Sequence, residues 1–229
     1  MQDEELCKEL LSMILKNKVG KIVRLFKQKS IENQIASKGV RLDIMIEDET
    51  GKLYDIEMQV CNEHNVAKRM RYYQAVLDIA FLDKGYSYKA LNNSIIIFVC
   101  LFDPIGNSRA IYTFENICIE DKSIPLQDGT KKVILNAKAF KETDNQELQG
   151  FLQYVKTGKA TTDYTRRIEQ MIQTVKHNEL ARKEYHILPI ALMDAFDEGK
   201  NLGLTEGSRQ AKLETAKTML AMGYPLGDI

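Results

Sequence analysis

The sequence lacks a net charge, because its 32 Lys and Arg residues equal its 32 Asp and Glu residues. If nucleic acid is a partner, the attraction must therefore come from a local basic patch, since the field of the whole molecule cannot supply it. Proline and glycine are also few, at 4 and 13 residues. This composition indicates an ordinary globular protein and excludes a disordered, collagen-like or rod-like chain.

Cysteine and histidine are too few and too scattered to suggest a zinc site. No two cysteines form a CxxC pair, and the three histidines are far apart in the sequence. The residues concerned are Cys7, Cys61, Cys100, Cys118, His64, His177 and His186. We expect the cysteines to be reduced thiols.

Long apolar runs are absent as well. The longest, Ile95–Phe102, is far shorter than the ~20 residues that cross a bilayer, so no membrane partner is expected. The N-terminus is acidic and lacks the basic and apolar regions of a secretory signal. Together with the cysteines, this predicts a cytoplasmic protein. The 229 residues allow one core, or one core with a helical appendage.

The most informative segment consists of two runs that alternate between apolar and polar residues. Residues 40–47 and 53–60 each have the period of a half-buried strand, and residues 48–52 between them have the composition of a turn. The segment therefore predicts a β-hairpin. If the turn is centred near Thr50, residues whose numbers sum to 100 face each other. The odd-numbered face of this hairpin carries the polar residues Arg41, Asp43, Asp55, Glu57 and Gln59.

The remaining pattern predicts strands first and helices afterwards. Helices are predicted over 4–17, 63–83, 147–156, 164–177 and 214–222, and strands over 29–36, 94–102, 109–115 and 131–137. From about residue 144 only helical periodicity remains. We therefore predict a core domain over 1–143 and an all-helical C-terminal region over 144–229.

The hairpin register places Asp43 directly opposite Glu57. Side chains in such a pair lie ~4.5–5.5 Å apart at Cβ, so the two carboxylates repel each other. Solvent, a basic side chain such as Arg41, or a divalent cation must offset this repulsion. Mg²⁺ suits one or two carboxylates plus waters and a substrate phosphate. On spacing alone, the alternative is the solvated face of an ordinary hairpin.

Four segments together resemble the PD-(D/E)xK nuclease superfamily, and most closely its Rpn-like branch of transposases and recombination-promoting nucleases. They are GVRLDIMIEDETGKLYDIEMQV (39–60), KRMRYYQAVLDIAFLDKGYSY (68–88), SIIIFVCLFDPIG (94–106) and IYTFENICIED (111–121). The resemblance implies an α/β fold with a restriction-endonuclease-like core of order α-β-β-β-α-β, in which helices flank a mixed central sheet.

The resemblance also implies the site residues. Asp43 stands for the PD aspartate, Glu57 for the (D/E) carboxylate and Gln59 for the lysine, as is usual in this branch. Gln59 lacks the charge of lysine, so it is expected to orient the attacking water or to lie near the metal as a neutral oxygen. The metal ligands would be Asp43, Glu57 and the Met58 carbonyl. A helix acid, Glu5 or Glu9, could complete the site.

The function implied by the resemblance is that of an endonuclease that hydrolyses DNA phosphodiester bonds with Mg²⁺ or Mn²⁺. It would have low sequence specificity and a link to recombination or transposition. DNA contacts are expected from the helix after the hairpin, through Lys68, Arg69, Arg71 and Tyr72, with Lys131, Lys132, Arg166 and Arg167 as weaker candidates. On sequence alone, an ordinary solvated helix face with Tyr73 in the core is an equal alternative.

Two other functions stay open at this stage. The first is a catalytically inactive nuclease fold that binds DNA or protein. It is favoured by Gln59 in place of lysine and by a start closer to the first helix than in other family members. The second is an accessory protein of transposition whose helical C-terminal region forms a homo-oligomer.

Overall fold

The computed structural model describes residues 4–31 and 40–177, excluding the side chains of 27–31, 40–42 and 175–177. The elements are α1 (Glu4–Leu15), β1 (Ile22–Ile31), β2 (Val40–Asp48), β3 (Leu53–Gln59), α2 (Val66–Phe81), β4 (Ser94–Cys100), β5 (Ile111–Phe114), β6 (Thr130–Asn136), α3 (Gln146–Thr157) and α4 (Asp163–His177). In this part of the chain no helix is long and apolar enough to span a bilayer.

The strands form one mixed six-stranded sheet with the order β1-β2-β3-β4-β6-β5. β1, β2 and β3 are antiparallel neighbours, whereas β3, β4 and β6 are parallel. β5 closes the sheet as an antiparallel edge strand. The parallel pair β3–β4 requires a crossover, and α2 provides it. The predicted α-β-β-β-α-β order and mixed sheet are confirmed.

The two faces of the sheet are covered by different helices. On one face, α1, α3 and α4 pack against alternate residues of the strands, such as Tyr54 and Ile56 of β3. On the other face, α2 packs against Phe98 of β4 and its neighbours through Met70 and Leu77. All seven residues of β4 are buried, which explains its continuous apolar sequence. Polar residues that alternate with Tyr54 and Ile56 must therefore lie on the α2 face.

The core extends past the predicted domain boundary at residue 143. Leu148, Phe151 and Leu152 of α3, and Tyr164 of α4, belong to the same buried cluster as α1. The Tyr164 hydroxyl donates to the Leu6 carbonyl across 3.0 Å. These two helices are thus part of the sheet's packing and not an appendage. The rest of the predicted helical region, including the helix at 214–222, lies outside the described residues.

The first strand is displaced from its predicted position. We predicted residues 29–36, whereas β1 runs from Ile22 to Ile31 and residues 32–36 lie outside the described part. The register of β1 against β2 shifts between Ile22 and Arg24, which marks a β-bulge. Ile22 is buried and its neighbour Val23 is half exposed. The bulge interrupts the simple alternation by which a strand is recognised in a sequence.

The turn of the β2–β3 hairpin is organised by the buried carboxylate of Asp48. Its Oδ1 accepts hydrogen bonds from the backbone of Thr50 at 2.9 Å and of Lys52 at 3.1 Å, and from the Thr50 hydroxyl. Its Oδ2 accepts from the Tyr54 hydroxyl at 2.8 Å. Burial alone would raise the pKa of Asp48, but these hydrogen bonds together hold it below the ordinary value.

We expect Asp48→Ala to lower the free energy of unfolding by about 2–4 kcal/mol, because it removes four hydrogen bonds and leaves the buried Tyr54 hydroxyl without its acceptor. Chemical denaturation measures this change. Asp121→Ala is the matched control, since Asp121 accepts similar bonds from Ser123 in an exposed turn. Its effect should stay within about 0.5 kcal/mol. Equal losses in both variants would contradict a special role for Asp48.

Candidate active site

The hairpin has the register that the sequence predicts. Ile44 pairs with Ile56 and Met45 with Asp55, and each pair of numbers sums to 100. The ladder between β2 and β3 ends at Ile44 and Ile56, although β2 continues to pair with β1 as far as Val40. The two strands of the hairpin therefore separate next to Asp43 and Glu57.

Asp43 and Glu57 bridge this gap with their side chains. The Asp43 backbone N–H donates to Glu57 Oε1 at 2.9 Å, and the Met58 N–H donates to Asp43 Oδ2 at 3.2 Å. Each carboxylate thus accepts a backbone hydrogen bond from the opposite strand. Both groups are held by rigid backbone, and each retains a second oxygen. The predicted juxtaposition of Asp43 and Glu57 is present.

Glu57 is almost completely buried, with 3% of its surface exposed. Burial is the largest cause of the rise of its pKa to about 7, and the nearby Asp43 carboxylate adds to it. The hydrogen bond from the Asp43 backbone and the charge of Arg69 oppose this rise. Without a cation, Glu57 is therefore only partly ionised near neutral pH.

Asp55 lies beneath this pair and is fully buried. Neither of its carboxyl oxygens accepts a hydrogen bond from a described N–H or O–H group. Burial first, and the Glu57 carboxylate second, raise the pKa of Asp55 well above its ordinary range. Burial without a described donor thus favours the protonated form of Asp55, which can donate its proton to Glu57.

Gln59 follows on the same face of β3 and is also buried. Its Oε1 accepts a hydrogen bond from Arg69 Nη1 of α2. Arg69 had been predicted as a DNA contact, but its guanidinium points into the site. The positively charged side chain beside Gln59 therefore comes from α2. The sequence suggested Arg41 for this charge, and the Arg41 side chain is not among those described.

The helix acids are not brought to this site. α1 packs on the opposite face of the sheet, and Glu9 forms an ion pair with Arg167 of α4. Glu5 is exposed on the same helix and lies close enough to contribute to the raised pKa of Arg167. In the described structure both glutamates thus belong to the contact between α1 and α4.

The predicted DNA-binding residues separate into two groups. Arg69 faces the site, where it contacts Tyr73, whereas Lys68, Arg71 and Tyr72 lie on the outer side of α2. Tyr73 packs against the core cluster of this face and contacts Phe98 edge to face, with ring centroids 5.7 Å apart. Tyr73 therefore packs against the core, as the alternative interpretation has it, while Lys68, Arg71 and Tyr72 are exposed.

Asp43 and Glu57 fit a divalent cation. Among the described residues, no group of three or more His, Cys, Asp or Glu is arranged to hold a metal. A cation would therefore need further oxygen ligands from backbone, water or substrate, which is how Mg²⁺ is usually bound. The N–H and C=O of one strand residue point to the same neighbour, so the Met58 carbonyl faces the gap beside Asp43. The repulsion that raises the pKa of Glu57 is what a bound cation would offset.

Sequence reasoning gave no role to Asp55 or to the aromatic support of Arg69. Asp55 was placed on the polar face of the strand, and the signal that could have marked it as buried is its pairing with apolar Met45. For Arg69 the available signal was Tyr73, four residues later on the helix, where the two side chains meet. Phe98 comes from another strand, and its contact with Arg69 has no local signature.

These features define a restriction-endonuclease-like α/β protein with a paired-carboxylate site where two hairpin strands diverge. The chain belongs to the PD-(D/E)XK nuclease family transposases, whose family model matches residues 2–194. The match confirms the resemblance drawn from the sequence. Neither the comparison with curated proteins nor that with solved structures gave a match.

Proposed function

We propose that the chain is a DNA endonuclease that hydrolyses phosphodiester bonds with Mg²⁺ or Mn²⁺ and acts in recombination or transposition. The observation that supports this best is the pair Asp43 and Glu57, held in one gap by backbone hydrogen bonds from opposite strands. Family membership makes DNA the expected substrate.

In this mechanism the protein holds the metal-binding groups in fixed positions. Asp43, Glu57 and the Met58 carbonyl would hold the cation. When bound, the cation supplies Lewis acidity toward the phosphate and the attacking water. Neutral Asp55 avoids a third buried charge beside the pair, and Gln59 places an amide at the edge of the site. Because these groups stand on paired strands, the site needs little reorganisation.

The direct test is incubation of supercoiled plasmid with the pure protein in Mg²⁺, in Mn²⁺ and in excess EDTA. We expect nicked and linear products with either cation and intact plasmid in EDTA. End-sequencing of the products should show cut sites spread over many sequences, since contacts to the phosphate backbone carry no sequence information. Cleavage that persists in EDTA would contradict the assigned role of the carboxylates.

The inactive nuclease fold remains the alternative, based on Gln59 in place of lysine. It predicts DNA binding without product under every cation condition. The position of Arg69 weakens this alternative, because it restores a positive charge at Gln59. The plasmid assay, with a gel-shift measurement beside it, separates the two functions.

We propose that DNA is bound by the outer face of α2. Arg71 and Tyr72 follow Lys68 by three and four residues, so both lie next to it on one exposed strip of the helix. Together with the Arg69 side, this strip would guide the phosphate backbone toward the site. Contacts of this kind recognise the backbone and not the sequence.

For the double variant Lys68→Ala/Arg71→Ala, we expect weaker DNA binding on every sequence tested. The slope of log affinity against log salt should flatten by roughly 2, since each phosphate contact contributes about 0.9. Fluorescence anisotropy between 50 and 200 mM salt measures this slope. Lys8→Ala on the opposite helix α1 is the control. An unchanged slope in the double variant would remove the strip from the DNA path.

Homo-oligomerisation is also part of the proposal, through the C-terminal region. Removing residues 145–229, the obvious truncation, would strip α3 and α4 from the core. The suitable measurement is therefore the mass of the full chain in solution over a range of concentrations. A monomer at every concentration would contradict oligomerisation.

A further inference from the structure

The orientation of the Gln59 amide is fixed by its partner. A guanidinium can only donate hydrogen bonds, so the atom facing Arg69 Nη1 must be the Gln59 carbonyl oxygen. The amide nitrogen therefore points away from Arg69. Its two protons have no acceptor among the residues that the structure describes. Gln59 thus has donor protons, and not an oxygen, left for a group that binds in the site.

Arg69 is itself held in place. Its Nη2 donates to the Tyr73 hydroxyl at 3.1 Å. Its Cζ lies 5.6 Å from the centroid of the Tyr73 ring and 5.7 Å from that of Phe98. Phe98 is fully buried and stands beside Glu57 in the parallel register of β3 and β4. Such cation–π contacts and a hydrogen bond restrict the guanidinium to one position.

The same guanidinium is an electrostatic neighbour of the carboxylates. Its charge lowers the pKa of Glu57, against the effect of burial. Gln59 cannot contribute such a charge, because an amide is neutral. Together, Gln59 and Arg69 therefore have the two properties of a single lysine. Gln59 provides a hydrogen-bond donor, and Arg69 provides a positive charge close to the site.

We propose that Arg69 is a positioning residue that acts through Gln59: it holds the glutamine carbonyl so that the amide donates to an oxygen of the scissile phosphate or of the attacking water. Its charge replaces the one that Gln59 lacks. The inference rests on the proposed phosphodiester hydrolysis, and it extends that function by naming the pair of residues that replaces one lysine.

The test compares three variants and one control variant in steady-state cleavage of a labelled duplex with Mg²⁺. Arg69→Met should lower kcat by about 10²-fold, as expected for loss of one preorganised donor, with KM changed less than about threefold. Arg69→Lys keeps the charge but not the fork that binds both Gln59 and Tyr73, so an intermediate kcat is expected. In the double variant Gln59→Lys/Arg69→Met, lysine supplies both properties and kcat should recover to within about tenfold of wild type.

Arg24→Met is the matched control, because it removes an exposed arginine from β1 and should leave kcat and KM unchanged. A readout independent of cleavage is the thermal unfolding midpoint of Arg69→Met, Gln59→Ala and their combination, Gln59→Ala/Arg69→Met. If Arg69 and Gln59 are in contact, the double variant loses less than the sum of the single losses.

The outcomes separate the inference from the proposed function. If the wild type cuts no DNA, the proposed function fails. If the wild type cuts and Arg69→Met keeps kcat within threefold, or Gln59→Lys fails to restore Arg69→Met, the positioning role is overturned while the nuclease function stands. Additive losses in unfolding midpoint would also overturn it, since the contact would then not exist in solution.

Discussion

Replacing Glu57 by glutamine is expected to abolish DNA cleavage, with a loss of at least about 10³-fold in kcat/KM. Glutamine keeps the shape of the side chain and an oxygen that can accept from the Asp43 backbone. It removes the negative charge that would bind a cation. Asp43→Asn is expected to have the same effect, because it preserves the bond from the Met58 N–H while removing the second charge.

The matched control is Glu115→Gln. Glu115 forms an exposed ion pair with Lys131 in the loop that follows β5, away from the hairpin gap. It should cut DNA at the wild-type rate, so a general effect of losing one acidic residue is excluded. Circular dichroism should show all three variants folded. Cleavage by folded Glu57→Gln or Asp43→Asn at the wild-type rate would contradict the paired-carboxylate site.

The hairpin could be predicted from sequence because its determinants are local. Alternation of period two defines the two faces of each strand, and the short turn with Gly51 at φ 78° limits the registers available. The pairing of Asp43 with Glu57 follows from these two features alone. The sequence also predicted β4 as a covered strand, since a continuous apolar run suits both of its buried faces.

The depth of each polar residue could not be predicted in the same way. Asp55 and Glu57 are both acidic residues on one face of β3, but Asp55 is fully buried between Met45 and the helix layer. The position of Arg69 depends on how α2 crosses the sheet, which brings it to Gln59 and Phe98. Such contacts join residues of different elements, and a single sequence has no periodic signal for them.

The amphipathic pattern of α3 and α4 was recognised, but not the surface that the two helices cover. A hydrophobic stripe shows that a helix is packed and does not show its partner. Here the partners are α1 and the face of the sheet away from the site. The same packing explains why Glu9 forms an ion pair with Arg167 and does not lie beside the hairpin carboxylates.

The free energy of unfolding is expected to fall as pH rises from about 4.5 to about 7 in EDTA. Burial raises the pKa of Glu57 to about 7 in the folded protein, against an ordinary value of 4.5, and the pKa of Asp55 is raised as well. Between these values the folded state binds more protons than the unfolded state. A rise in pH then favours the unfolded state. The stabilising contribution is complete below pH 4.5 and lost above about 7.

For Glu57 alone the loss is at most about 3 kcal/mol, at about 1.36 kcal/mol per pKa unit. In a chain of this size it corresponds to a fall in Tm of roughly 6–12 °C. A divalent cation bound by the ionised carboxylates should oppose the fall. At a concentration of 100 Kd it would add about 2.7 kcal/mol to the free energy of unfolding. The gain should appear at pH 8 and shrink at pH 5, where Glu57 is protonated.

Thermal unfolding from pH 5 to 8, with EDTA and with Mg²⁺ or Mn²⁺, measures both effects. Asp55→Asn and Glu57→Gln should each flatten the EDTA profile, because a neutral amide cannot lose a proton on either side of the transition. At pH 8 each variant should therefore be more stable than the wild type in EDTA, although Glu57→Gln no longer gains from the cation. A flat wild-type profile would contradict the raised pKa values of Asp55 and Glu57. An equal gain from the cation at pH 5 and pH 8 would contradict the role of ionised Glu57 as a ligand.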